Sequence, residues 1–326
     1  MKNLKKLGLT ALAGSMVAIS AQAVEMSVSG SAVMTFVNKS GSVDATDTGS
    51  GWGMDKGMGA SASGELDNGW GVSLYHGLSP AGNETTSSIT VNLGDAGSIA
   101  YVQADLGGGA EALDDVMPTA HEEPSNGLGT TAAPLASAKS SVSTGFVYSN
   151  SIAGASVSIN YAPDSAANVN DQGGSAGTGT GDSSSSIGIT YPVADTGLTI
   201  FAAKGTDGEA DGKNHDHTVL AATYAMGPAT IGVQRNEKDD EDASASDYTD
   251  TYYAISFAVN DDLSISYGRQ DTEKEGSAID QEVTGISVGY SMGGMTISAH
   301  SNKSDNHNNV SGATSEHQEI ALTFAF

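Results

Sequence analysis

Cysteine is absent from this sequence, and cations are scarce: thirteen Lys and Arg stand against thirty-nine Asp and Glu. The first absence excludes disulfide staples, a thiolate nucleophile and a zinc-thiolate site. The second, a formal net charge of −26, excludes nucleic acid as a partner, because phosphate contacts need clustered Lys and Arg. Also missing beyond Val24 is any uninterrupted apolar run approaching the ~20 residues that a membrane helix requires. Any crossing of a bilayer by this chain must therefore be made by strands, since lipid tolerates only helices and closed barrels. Only seven prolines accompany forty-two glycines, a balance that suits strands punctuated by turns.

The N-terminus has three parts. Lys2, Lys5 and Lys6 precede an apolar stretch from Leu7 to Ile19, and Ala21-Gln22-Ala23 offers small residues for cleavage. This pattern predicts a secretory signal peptide over residues 1–23 and a single mature domain over 24–326. Its removal leaves ten basic residues against thirty-nine acidic ones, a formal charge of −29.

The mature sequence alternates with a period of two. Met26, Val28, Ala32, Met34 and Phe36 share one face while Ser27, Ser29, Ser31 and Thr35 share the other. Ile187, Ile189 and Tyr191, then Tyr253, Ile255 and Phe257, then Leu263, Ile265 and Tyr267 repeat the arrangement, and the last residues, Ile320 to Phe326, alternate to the final phenylalanine. Aromatic residues fall near segment ends on the apolar parity, among them Trp70, Tyr101, Tyr148, Tyr161, Tyr191, Tyr224 and Tyr290. That placement predicts girdles at the two edges of a bilayer.

Connections alternate in length. Seven short turns lie at Asp67–Gly69, Gly94–Gly97, Ser151–Gly154, Pro192–Gly197, Met226–Pro228, Asn260–Asp262 and Met292–Gly294. Eight long polar stretches separate them, at 39–56, 77–86, 104–139, 163–184, 205–216, 236–249, 272–280 and 303–315. Together they predict an all-β, transmembrane antiparallel barrel of sixteen strands with both chain ends on the short-turn side. One missed hairpin would make the number about fourteen or eighteen, because strand boundaries read from sequence are good only to about 2 to 4 residues.

The start Val24-Glu-Met-Ser-Val-Ser-Gly-Ser, the hairpin Ser63-Gly-Glu-Leu-Asp-Asn-Gly-Trp-Gly, the segment Val157-Ser-Ile-Asn-Tyr-Ala-Pro163 after the long third loop, and the terminal phenylalanine resemble the general diffusion porins of Gram-negative bacteria. The likeness spans the mature chain. It implies a trimer of sixteen-stranded barrels in the outer membrane, with the third loop folded into each lumen to narrow a water-filled channel for small hydrophilic solutes and ions. It also implies contact with outer-membrane lipid and lipopolysaccharide.

The third loop, 104–139, carries Asp105, Glu111, Asp114, Asp115, Glu122 and Glu123, with Leu113, Val116 and Met117 available to pin it to the wall. Folded inward, it lines the constriction with carboxylates. The resemblance also implies a row of arginines on the facing wall, and here the sequence departs from the family. Arg235 and Arg269 are the only arginines, and their parity points them outward, while inward positions read as Ser, Thr, Gly and Asn with Glu65 and Glu319 as charged exceptions. A carboxylate-lined lumen with few cations predicts a preference for cations.

Two metal readings arise. Glu237, Asp239, Asp240, Glu241 and Asp242 offer hard oxygen ligands that suit Ca2+ or Mg2+, which would bridge to lipopolysaccharide phosphates; the alternative is a hydrated charge run. His215 and His217 share one strand face but lack an evident third ligand, and Asp207-Gly-Glu-Ala-Asp-Gly212 lacks the closing glutamate of a calcium loop, Thr218 standing in its place. Competing functions are a surface adhesin and a barrel-type hydrolase, for which the inward parity of His300 is the one hint of a wall-mounted base.

Overall fold

The computed structural model describes residues 25–42, 48–79, 81–103, 106–130, 144–163, 183–208, 214–241 and 247–326. The expected signal peptide lies outside them. The strands are β1 (Glu25–Gly41), β2 (Gly49–Glu65), β3 (Gly71–Leu78), β4 (Glu84–Asn92), β5 (Ser98–Gln103), β6 (Gly145–Ile152), β7 (Ala155–Ala162) and β8 (Ser184–Pro192). They continue as β9 (Leu198–Gly208), β10 (Asn214–Met226), β11 (Ala229–Asp240), β12 (Tyr248–Ala258), β13 (Leu263–Lys274), β14 (Gln281–Met292), β15 (Met295–Asp305) and β16 (Thr314–Ala325). Each pairs antiparallel with its sequence neighbours, and β1 also pairs with β16, so the sixteen-stranded sheet closes on itself. At the seam Ala32 lies opposite Phe324 and Phe36 opposite Ile320, while Gly30 and Phe326 exchange two backbone hydrogen bonds, of 3.2 and 2.9 Å.

The alternation is inside out relative to a soluble domain. On β10, Leu220 is 57% exposed beside Val219 at 1%; on β14, Ile286 is 56% exposed beside Ser287 at 3%. The same holds all round, so the apolar stripe is the outer surface of the cylinder. A two-layer sandwich would have buried that stripe in its centre. An aromatic row marks one edge of the belt: Tyr101, Phe146 and Tyr161 stand side by side on β5, β6 and β7, with the first two rings 5.2 Å apart.

Several strands run further than the sequence pattern indicates. The loop expected at 39–56 is shorter, because β1 continues to Gly41 and β2 starts at Gly49; β11 likewise continues to Asp240, and β15 to Asp305 before a 3-10 turn at His307–Asn309. Beyond the lipid belt the hydrogen-bond ladder persists in water, where no hydrophobic period is needed to sustain it. In β2 the outward Trp52, Met54 and Met58 do alternate with inward glycines, but Lys56 interrupts the stripe.

If the outer stripe lies in hydrocarbon, a charge placed mid-belt is costly. Ile286→Arg is expected to destabilise the barrel by about 2–4 kcal/mol, measured by denaturant unfolding in lipid vesicles. The lumen-facing Ser73→Arg should cost less than about 1 kcal/mol on the same scale.

Candidate functional site

The connection between β5 and β6 turns into the barrel. Its described part, 106–130, begins with a 3-10 turn over Gly109–Leu113 and then follows the inner wall past β7 and β8 to β16. Two kinds of contact hold it. The first is apolar: Ala110, Leu113 and Met117 pack with Phe201, Ala203, Val219, Ala221 and Tyr252, all inward-facing on β9, β10 and β12, with Val116 at the edge. These wall residues correct the expectation of a uniformly polar inner face. A loop that leaves water inside the barrel needs an apolar floor, and those strands provide it.

The second kind is polar. Gly109 N–H donates to Ser158 Oγ and Ala110 N–H to Ser186 Oγ, each at 2.9 Å, while Asn160 Nδ2 donates to the carbonyls of Gly107 and Gly108 at 3.1 Å. Further along, Ala120 N–H donates to Ser266 Oγ at 2.9 Å and His121 N–H to Ser287 Oγ at 3.1 Å. Asn302 Nδ2 then donates to the carbonyls of Glu123 and Asn126 at 3.1 and 3.0 Å. The Ser and Asn residues read as pore lining are, on this side, the partners that satisfy the loop's backbone away from solvent.

Inward glycines give the loop its track. A Cβ on Gly188 would collide with the carbonyl of Gly109, and one on Gly289 would lie 2.5 Å from the carbonyl oxygen of Ala120.

The carboxylates of the loop differ in exposure. Asp114, Asp115 and Glu122 are exposed, Glu111 and Glu123 are half-buried, and Asp105 lies outside the described residues. Asp114, Asp115, Glu122 and Glu123 form one electrostatic group. Burial, followed by the charges of Asp115, Asp114 and Glu122, pushes the Glu123 carboxyl up to about 8.

The facing wall, β1 to β4, presents Ser29, Ser31, Thr35, Asp55 and Tyr75 and no arginine. Arg235 and Arg269 point outward at the long-loop end, where Arg235 pairs with Glu237 at 2.8 Å and Arg269 with Asp271 and Glu282 at 2.7 and 2.9 Å. Among the described residues, the lysines on inward positions are Lys39, Lys238 and Lys274, toward the long-loop end; Lys238 lies 3.8 Å from Asp240.

Both wall glutamates face inward, Glu65 at the short-turn end and Glu319 beside the loop, 3.8 Å from His121. The acidic stretch of β11 does not converge on one point. Glu237 and Asp239 face outward, Asp240 faces inward 3.1 Å from His215, Glu241 accepts from the Asn214 N–H, and Asp242 lies outside the described residues. His215 and His217 both face inward, and His217 is buried. His300 faces inward as its parity predicts and meets His121 and His317 there, a grouping that strand register creates and spacing along the chain does not announce.

A closed sixteen-stranded barrel with an apolar outer belt and an inward, acidic third loop defines an outer-membrane channel. The sequence model of the Gram-negative porins matches residues 8–309, and the chain belongs to that family. It is therefore a barrel of the bacterial outer membrane that forms a channel for passive diffusion, and the hydrolase and adhesin readings fall away. Among curated proteins no relative matches. Solved structures with the same fold include OmpT of Vibrio cholerae, folded in vitro (TM-score 0.67, 14% identity, covering 94% of this chain and 99% of that one). A trimer form of the same protein is similar (TM-score 0.67, 15% identity, 93% and 100% covered). An anion-selective porin from Comamonas acidovorans also matches (TM-score 0.66, 12% identity, 93% and 100% covered).

The glycine track generates a test. Gly289→Val is expected to push the loop off the wall and raise single-channel conductance in a planar bilayer, while Gly294→Val, in an exposed turn with an ordinary backbone angle and an ordinary nearest contact at 3.8 Å, leaves conductance near the wild-type value.

Proposed function

We propose that this porin prefers cations and that Asp114, Asp115 and Glu122 set the preference, with Glu123 adding to it above about pH 8. The observation that carries the reading is the collection of these carboxylates on the lumen face of the third loop, opposite a wall without arginine. Inside a channel with low-dielectric walls, fixed charge of one sign concentrates counter-ions and repels ions of its own sign. Selectivity belongs to these charges and not to the architecture, which this chain shares with an anion-selective porin.

The signal peptide over residues 1–23 and assembly as a homotrimer are part of the same reading; a trimer form of OmpT supports the latter. At the long-loop end, outward Asp216 lies opposite Asp239, whereas Asp271 and Glu282 share Arg269, and Asp305 pairs with Lys303. Like charges paired across strands above a lipid belt suit Ca2+ or Mg2+ bridging to lipopolysaccharide phosphates.

Reversal potentials in a KCl gradient test the preference. The wild type should pass K+ over Cl−, and a variant combining Asp114→Asn, Asp115→Asn and Glu122→Gln should move toward equal permeability; anion preference in the wild type overturns the reading.

The raised Glu123 carboxyl adds a pH dependence. Below about 8 it is mostly protonated and neutral, so selectivity for cations should rise as pH passes upward through about 8. The sign for loop docking is opposite. A raised carboxyl stabilises the docked loop most at low pH, and that contribution is lost as pH rises through about 8. Glu123→Gln should flatten the rise in selectivity between pH 7 and 9, read from the same reversal potentials.

A further inference from the structure

Where the loop reaches the last strands, it brings an imidazole to the wall of β15 and β16. His300 on β15 and Glu319 on β16 are direct register partners, and His121 of the loop stands against both. One ligand atom from each of the three side chains lies within 4.8 Å of the other two. Among the described residues this is the grouping of His and carboxylate groups that converges in this way.

We propose that His121, His300 and Glu319 form a site for a divalent transition-metal ion, which clips the third loop to the wall.

Three features fit that chemistry. First, His300 is 4% exposed, and its Nδ1 is buried without a hydrogen-bond partner. A buried polar atom left unsatisfied is costly, and a metal ion would satisfy it. Second, the other nitrogen of the same ring is engaged: His300 Nε2 lies 2.7 Å from His317 Nδ1, with the two rings stacked 4.9 Å apart. If Nε2–H donates to His317, the Nδ1 lone pair is free to ligate, which is how an outer partner fixes the tautomer of a metal-binding histidine. Third, His121 Nε2 lies 3.8 Å from Glu319 Oε1 and 3.3 Å from Ser298 Oγ, so the loop imidazole turns its outer nitrogen toward the carboxylate.

The donor set decides the class of ion. Two imidazoles and one carboxylate suit zinc, nickel or copper, whereas calcium and magnesium take oxygen ligands. Bonds of about 2.0–2.2 Å require donor atoms roughly 3–3.5 Å apart, so the group must close by about an ångström. The movable partner is His121, on a loop and not on a strand. Three protein ligands leave a fourth position open toward the lumen, where water fits. The nearest cation of the wall, Lys39, is registered opposite His317 and not opposite a ligand.

A bound ion would join loop and wall and place two positive charges against one carboxylate beside the acidic group of the loop. Both effects oppose cation flux. The predicted behaviour is a channel whose conductance falls on binding zinc, whichever ion it prefers in zinc-free solution.

The test uses the purified full-length barrel. Titration with zinc chloride in a calorimeter should give one site per chain, and the same zinc concentration should lower single-channel conductance, reversibly with EDTA. Equal magnesium chloride should do neither. His300→Ala should weaken zinc binding at least about tenfold and abolish the fall in conductance, as loss of even an outer partner costs about 10–100-fold. Because His300 is packed in the wall, His121→Gln, on the loop, gives a second variant whose barrel is unaffected and whose loss of binding should be equal in kind. Absence of zinc binding, an equal response to magnesium, or a zinc effect unchanged in both variants overturns the site.

Discussion

An unpaired peptide group in hydrocarbon costs several kcal/mol, and the pairing of β1 with β16 leaves no open sheet edge along the described strands. Once the sheet is closed, side chains divide into two populations with opposite solvents. Those outside, such as Leu220 and Ile286, meet a medium that accepts only apolar groups; those inside meet whatever fills the lumen. The hydrophobic effect therefore sorts residues across the wall without any central core in the wall itself.

What fills the lumen is of two kinds. On the side of β1 to β4 it is open, and short hydroxyl side chains and glycines line it together with Asp55 and Tyr75. On the side of β7 to β16 the third loop fills it, and the interior there resembles that of a soluble domain: Leu113 and Met117 against Phe201, Val219 and Tyr252, with buried hydroxyls and amides closing hydrogen bonds to the loop backbone. The docked loop holds four carboxylates near one another. Glu123 records the consequence, since its charge is disfavoured first by burial and then by its neighbours.

The outer half of this design was plainly legible in the sequence. Lipid demands uniformity, so the apolar parity, the aromatic edges and the alternation of short and long connections all survive single-sequence reading, and they sufficed for strand number and closure. Polar strand extensions were not legible. Lys56 on the outer face of β2 and the Glu, Lys and Asp residues at the end of β11 break the period while leaving the ladder intact. On the inner face, Ser186 and Ser266 bond the loop backbone, whereas Ser29 and Ser31 line the open side; nothing in residue type distinguishes them. The acids of the loop could be named in advance because they are consecutive or nearly so. The grouping of His121 with His300 and Glu319 could not, because it needs the register of β15 on β16 and the path of the loop at once.

The order of contacts along the chain has a temporal meaning. The third loop leaves the wall after β5, where Leu106 packs on Val102, but the hydrogen-bonding partners of its backbone come later, from β7 through to β16. Its anchors cannot exist until those strands have paired. The full narrowing of the passage therefore requires the last strands to be in place, and a chain cut short before β15 would lose the wall amide that holds the far end of the loop.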